Sequence, residues 1–382
     1  MRKMGRFRTI LSKPVLWAAA KFSSKPDRKR IVEALTKLSA SILEQPGKRG
    51  LVIPFEQHAG KFIIFSDQHK GGRNGADDFK NAEHNYLRAL DYYSSNDFCF
   101  INLGDSEELW ENSIWKVKKK NRATFEAEKK FLANNQYVKI FGNHDLYWDT
   151  SLWAYWHLKS MFGEKVKVYE GVVLQCAVSS KQLANTKDDK PFTIDYSPLT
   201  ILLTHGHQGD AQSDGNWFSK FFVAYIWAPL QSLLKINPNT PANNAERKTL
   251  HNTMMYEWSA DQKGLLLVTG HTHQPVFASL THLERLYKQL QLAQHSNDEA
   301  GAKKIQTEIL KREIDFTSVS VDYMTMKPSY FNTGCCCFSD GDITGIEIAD
   351  SCIRLIKWSE AKGREVLEER GLEELINVGP EC

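Results

Sequence analysis

Five short apolar segments, each running straight into residues that bind metals, constrain this 382-residue chain more than any other feature. They read "KFIIFSDQH" (61–69), "DFCFINLGD" (97–105), "QYVKIFGNHD" (136–145), "LTILLTHGH" (199–207) and "GLLLVTGHTH" (264–273). A short apolar run closed by glycine or polar residues is the pattern of a buried strand. In open α/β sheets, ligands gather outside the carboxyl ends of the strands. Any one of these endings alone would pass for a turn or a helix cap. Five in one chain point to a single site built from Asp67, His69, Asp105, Asn143, one of His205 and His207, His271 and His273. Carboxylate, imidazole and amide oxygen without thiolate suit Mn²⁺ best, with Fe or Zn²⁺ as alternatives. Seven ligands exceed what one cation uses. Two cations about 3.5–4 Å apart, sharing a carboxylate, would use them all.

The rest of the pattern frames these strands. Helix-like stretches at 78–93 and 121–135 separate the first three strands, as in β-α-β units. Beyond residue 316 come strands without helices: "DFTSVSVD", "SYFNTGCCCF", "DITGIEIA" and "CIRLIKW". Alternating β-α followed by all-β predicts layered sheets with helices outside. The expected division is a basic extension over 1–60, a body over 61–358 and a short charged helical tail over 359–382. Within the body, a helical, aromatic-rich cap at 211–262 and a helical hairpin at 281–314 are insertions. The hairpin rests on Leu283, Leu286, Leu290, Ile305, Ile309 and Ile314, three to five residues apart within each arm.

Composition narrows the partners. Apolar residues make up 42% and charged residues 25%, the profile of a soluble globular chain. Net charge is only +3, and residues 1–30 hold ten basic side chains against the single acid Asp27. The remainder carries no basic excess, which argues against nucleic acid. The basic segment, interleaved with Phe7, Leu11 and Trp17, suits peripheral contact with an anionic membrane face. No apolar run reaches the ~18 residues of a membrane span; the nearest, 217–234, is broken by Lys220 and Pro229. A cytoplasmic protein, in places touching the inner membrane face, is expected. The seven cysteines are odd in number and lack C-x-x-C spacing. "CCC" at 335–337 falls in an expected strand, where neighbours point to opposite faces, so reduced thiols rather than a metal site are expected there.

The motif order "SDQH" (66–69), "GDSEE" (104–108), "GNHD" (142–145), "THGH" (204–207) and "GHTH" (270–273) resembles the calcineurin-like metallophosphoesterase superfamily, over roughly residues 61–275. The resemblance implies an α/β, four-layer αββα sandwich with a dinuclear centre. Asp67, His69 and His273 would hold one metal, Asn143, His205 and His271 the other, and Asp105 would bridge. His205 is favoured over His207 because it directly follows the strand. A hydroxide between the metals would attack phosphorus, His144 would protonate the leaving group and Glu108 would orient His144. Lys70 and Arg73, in the glycine-rich "HKGGRNGADDF", would grip substrate phosphate.

Protein phosphatases of the superfamily carry Arg-Gly where this chain has Leu109 and Trp110. G-D-x-x-E-x-W (104–110) looks instead like the UDP-2,3-diacylglucosamine pyrophosphatase branch, which cleaves a pyrophosphate of a lipid-linked sugar nucleotide. His144, where that branch often has arginine, and the insertions depart from it. The expectation is hydrolysis of a phosphodiester or pyrophosphate bond in a phosphorylated small-molecule or lipid-linked substrate. The alternatives are a nuclease or phosphomonoesterase of the same superfamily, and a metal-binding scaffold without turnover.

Overall fold

The computed structural model describes residues 26–75, 77–151, 153–177, 199–209, 245–296, 298–312 and 326–376. Its body is two seven-stranded sheets packed face to face. One sheet contains β1 (Gly50–Glu56), β6 (Gly171–Ala177), β7 (Leu199–Thr204), β8 (Leu265–Thr269), β9 (Val276–Phe277), β10 (Leu280–Thr281) and β11 (Tyr330–Asn332), in the order β1-β6-β7-β8-β11-β9-β10. The other runs β14-β13-β12-β2-β3-β4-β5. Its members are β2 (Phe62–Phe65), β3 (Cys99–Leu103), β4 (Tyr137–Ile140), β5 (Val168–Tyr169), β12 (Ile343–Ala349), β13 (Cys352–Ser359) and β14 (Gly363–Gly371).

The core lies between the sheets, where Ile64, Ile101, Leu103, Ile140, Leu174, Leu203 and Val268 interdigitate. Two outer helical layers complete the sandwich. Helices α1 (Arg28–Glu44) and α7 (Ala245–Ala260) cover the first sheet, joining Ile31, Leu35, Met255 and Trp258 to Val173, Leu202 and Leu267. Helices α2 (Phe79–Ser95) and α4 (Arg122–Ala133) cover the second, through Phe79, Tyr86, Leu90 and Phe131 on Ile63, Phe65 and Phe100. Strands β2 and β8 are apolar on both faces because each is covered by core on one side and helix on the other. The α/β sandwich expected from the sequence is therefore present.

β2, β3 and β4 run parallel in one sheet, as do β7 and β8 in the other. The carboxyl ends of all five open at one end of the sandwich. Besides α4, the chain between β3 and β5 forms three shorter helices, α3 (Ile114–Lys120), α5 (Tyr147–Thr150) and α6 (Ala154–Phe162). The hairpin expected at 281–314 is α8 (His282–His295) with α9 (Glu299–Arg312), self-packed through Leu283, Leu286 and Ile309. A capping box starts it: Thr281 accepts from the Glu284 backbone while Glu284 reaches back to Thr281. Ile314 lies outside the described residues.

Several expectations are corrected. The sandwich does not begin at residue 61: β1 pairs in parallel with β6 along seven residues, and α1 packs on that sheet, so residues 28–56 belong to the body. Nor does it end at 358. The tail read as a helix is strand β14, followed by the short helix α10 (Leu372–Ile376). "GREVLEERG" is rich in helix formers, but β13 offers an open edge. The pairing is secured by Arg354 with Glu369 and by Arg364 with Glu347 on β12. The part of 211–262 that is described, α7, is a layer of the sandwich rather than a cap; residues 210–244, with the aromatic run 217–234, lie outside the described residues, as do 1–25 and the expected strand at 315–322. Finally, "CCC" is not in a strand. β11 ends at Asn332, and Cys335 to Cys337 form a loop.

Candidate metal centre

Three of the five motif loops leave their strands through left-handed backbone at non-glycine residues. Asp67, His69, Asp105, His271 and His273 all have positive φ, between 48° and 67°. Left-handed backbone at a non-glycine residue is uncommon and marks functional strain. At these residues the backbone breaks from the extended strand conformation, and the side chains of Asp67, His69 and His273 come together there. Close backbone approach makes the motif glycines necessary. A Cβ on Gly270 would meet Ser66 Oγ at 2.3 Å and Asp67 Oδ2 at 2.4 Å, and one on Gly142 would meet Asp105 Oδ1 at 2.2 Å.

The side chains converge in two groups with one carboxylate between them. Asp67, His69 and His273 form the first: Asp67 Oδ1 is 3.2 Å from His273 Nε2, and His69 Nε2 is 3.1 Å from His273 Nε2. Asp105, His205 and His271 form the second, with Asp105 Oδ2 3.2 Å from His205 Nε2. The same oxygen lies 3.7 Å from His69 Nε2, so Asp105 faces both groups. Ligands bonded at about 2.1 Å at right angles around one cation stand about 3 Å apart, the spacing found here.

Unsatisfied atoms make the same point. Asp67 Oδ1, Asn143 Oδ1, His205 Nε2 and His271 Nε2 are buried without a hydrogen-bond partner. Buried polar atoms are nearly always paired, and four orphans on expected ligands are what a cation site leaves when protein partners alone are counted. Their other atoms are anchored. His205 Nδ1 donates to Leu103 O at 2.9 Å, which leaves Nε2 to face the cluster. Asp67 Oδ2 accepts from Ser66 Oγ and from the His271 backbone N–H at 3.0 Å, which leaves Oδ1 for the cluster. The residues fit divalent cations.

His205 rather than His207 brings its nitrogen to Asp105. His207 is buried against Phe141 and His205, outside both groups, and burial with the nearby His205 lowers it to about 3. Burial and the neighbouring His251 likewise keep His271 neutral, the form that binds metal. Burial alone would push Glu108 up, yet His144 and His69 hold it at about 2. That carboxylate lies 2.7 Å from His144 Nδ1 and 3.1 Å from His69 Nδ1, while Trp110 stacks on the His144 ring at 4.4 Å and 20°.

Of the expected substrate contacts, Lys70 is corrected. Lys70 is fully buried, its ammonium 2.6 Å from Glu128 and 3.2 Å from Glu107; its charge joins a buried network with Lys139 rather than the open end of the site. Arg73 pairs with Glu83 and lies over the Phe79 ring. Other contributors were not foreseen. Asp145 ties two motif loops together, accepting from Gly142 N at 2.6 Å and Ser106 N at 2.9 Å. His251 of α7 donates to Gly206 O at 2.8 Å with its ring 5.1 Å from that of His271. "GNHD" contains the signal for Asp145; nothing marks His251 within its helix.

Among curated proteins, none matches this sequence significantly. The family model for calcineurin-like phosphoesterases matches residues 60–275, the segment that holds all seven expected ligands. That match covers more than half of the 382 residues, and the chain belongs to the calcineurin-like phosphoesterase family.

Proposed function

We propose that this metal-dependent phosphoesterase holds two divalent cations and hydrolyses a phosphodiester or pyrophosphate bond. The observation that carries the reading is the two three-residue groups, with Asp105 of the second also facing His69 of the first. Asp67, His69 and His273 would hold one cation and Asn143, His205 and His271 the other, with Mn²⁺ the best match to the donors. Two such cations supply Lewis acidity and an activated water. The chain's own residues supply the proton for the leaving group. His144 Nδ1 is held against Glu108, its ring is fixed by Trp110, and its buried Nε2 lacks a protein partner. That nitrogen is the group placed to give a proton to the departing oxygen.

For the substrate we favour a lipid-linked sugar nucleotide met at a membrane face, on the strength of a surface beside the site. Trp115, Trp153 and Trp156 are 67%, 66% and 60% exposed on or next to α3 and α6. The helices lie side by side, with Trp115 edge-on to His157 at 5.2 Å and Lys118 donating to Ser160 Oγ at 2.7 Å. Lys116, Lys118, Lys119, Lys120 and Arg122 follow Trp115 along the chain, and no acid lies between residues 112 and 125. Indoles amid lysines suit the anionic interface of a bilayer. No described helix is long and apolar enough to cross a membrane.

The test is hydrolysis of an aryl phosphodiester, an aryl phosphomonoester and a UDP-linked acylated sugar by the Mn²⁺-loaded protein, with Asp105→Ala as the blank. Release of UMP from the sugar nucleotide, lost in the variant, is the expected result. Turnover of aryl esters alone would keep the phosphoesterase and remove the lipid. Two bound metals with no turnover would favour the scaffold.

A further inference from the structure

We propose that Cys335, Cys337 and His273 form a second kind of cation site, one for a thiophilic divalent ion such as Cd²⁺ or Zn²⁺, which inhibits by engaging His273. One nitrogen of His273 and the two sulfurs lie within 4.8 Å of one another. Tetrahedral Zn²⁺, with bonds of about 2.3 Å to sulfur and about 2.0–2.1 Å to nitrogen, needs its ligands about 3.4–3.8 Å apart. Small side-chain movements therefore close the site.

The loop is built to present the two thiols together. Thr333 N donates to Thr269 O at 2.9 Å, Asn332 Nδ2 donates to Gly270 O at 2.7 Å, and Cys336 N donates to Asp67 O at 3.3 Å. The cysteine loop is thus fastened to the first and last metal motifs. Cys336 turns into the core beneath α2, among Phe65, Tyr86 and Ile343. Its two neighbours fall on the opposite side, toward His273. Cys335 is buried and Cys337 half-buried, so the pair of thiols is partly open to solvent through Cys337.

The donor chemistry separates this site from the adjacent one. Two sulfurs and one imidazole favour soft ions such as Cd²⁺ more strongly than the sulfur-free carboxylate and imidazole groups beside them do. His273 belongs to both, with Nε2 3.2 Å from Asp67 Oδ1. An ion captured by the thiols therefore draws on a ligand of the first group. The inhibitory consequence rests on the phosphoesterase reading, while the binding itself does not.

The experiment is a Cd²⁺ titration of the full-length Mn²⁺-loaded protein beside the Cys335→Ser/Cys337→Ser variant. Thiolate-to-metal charge-transfer absorption in the ultraviolet and aryl diester hydrolysis are followed together. The expected result is absorption saturating at one equivalent in the wild type, with hydrolysis falling over the same range. The double variant should lack the band and need at least ~10-fold more Cd²⁺ for equal inhibition, the ratio that losing about 1.4 kcal/mol of binding produces. Absence of the band in the wild type, its persistence in the double variant, or equal inhibition of both proteins would overturn the proposal. If no ester is turned over, the phosphoesterase reading fails and the band alone decides the site.

Discussion

At the scale of single residues, the centre depends on side chains whose partners leave one atom free. His144 is the sharpest case: Glu108 sits at Nδ1, Trp110 covers the ring, and Nε2 has no protein partner. If it donates a proton, His144→Asn should lower kcat by ~10²–10⁴-fold on a diester with a poor leaving group and far less on a nitrophenyl ester, whose oxygen needs no proton. Measured metal content should not change. A fall in bound Mn²⁺ would mean that His144 acts through its neighbour Asn143 instead. The convergence of the candidate ligands was legible because each motif directly follows an apolar strand, so a local pattern sufficed. The positive φ angles at five of them were not, since nothing in "SDQH" distinguishes a left-handed Asp67 from an extended one. Lys70 misled for a related reason. A lysine next to a metal motif in a glycine-rich loop reads as a phosphate contact, but Glu128, which holds it, lies 58 residues away.

Among elements, the buried charges of Lys70, Glu107, Glu128 and Lys139 join the loops after β2 and β3 to α4 and β4. Removing one member of a buried pair costs about 3–5 kcal/mol because the other charge is left unpaired. Lys70→Met should lose an amount of that order in urea unfolding, and Lys70→Met/Glu128→Gln should recover part of it. The pH dependence has a defined sign. Burial raises Glu107, but Lys139 and Lys70 overcome it and bring the carboxyl from 4.5 down to about 2. A depressed carboxylate contributes its stability fully above about 4.5 and loses it as pH falls toward about 2. Lys70→Met, with Glu107 less depressed, should lose less across that window. The surface of α3 and α6 makes a separate prediction. The protein should sediment with vesicles containing anionic lipid and not with neutral ones, and Trp153→Ala/Trp156→Ala should weaken that binding without changing hydrolysis of a soluble aryl diester. Binding that survives the indole loss would assign membrane contact to another part of the chain. Strand β14 shows where element-level reading stopped: its composition favours helix, and only the open edge of β13 and ion pairs to β12 and β13 make it a strand.

For the whole molecule, the candidate ligands come from both halves of the sandwich. Asp67, His69, Asp105 and Asn143 follow strands of one sheet, and His205, His271 and His273 follow strands of the other. Cations held between them would fasten the two sheets at their open end, so metal removal should act on stability as well as on activity. A ligand at 100 times its Kd adds about 2.7 kcal/mol. The increment must also depend on pH. Burial opposes a charge on His205 and His273, yet Asp105 beside the first and Asp67 beside the second raise both to about 9. Below that, each imidazole carries a proton that an incoming cation has to displace, so apparent affinity rises with pH toward about 9 and binding releases protons. Calorimetric Tm with and without Mn²⁺ should therefore show a larger gain at about pH 8 than at about pH 6, and EDTA should abolish the difference. Asp105→Ala should remove most of the gain at both, since it takes away the carboxylate facing both groups. Equal gains at the two pH values would show that no imidazole has to lose a proton when the cations arrive.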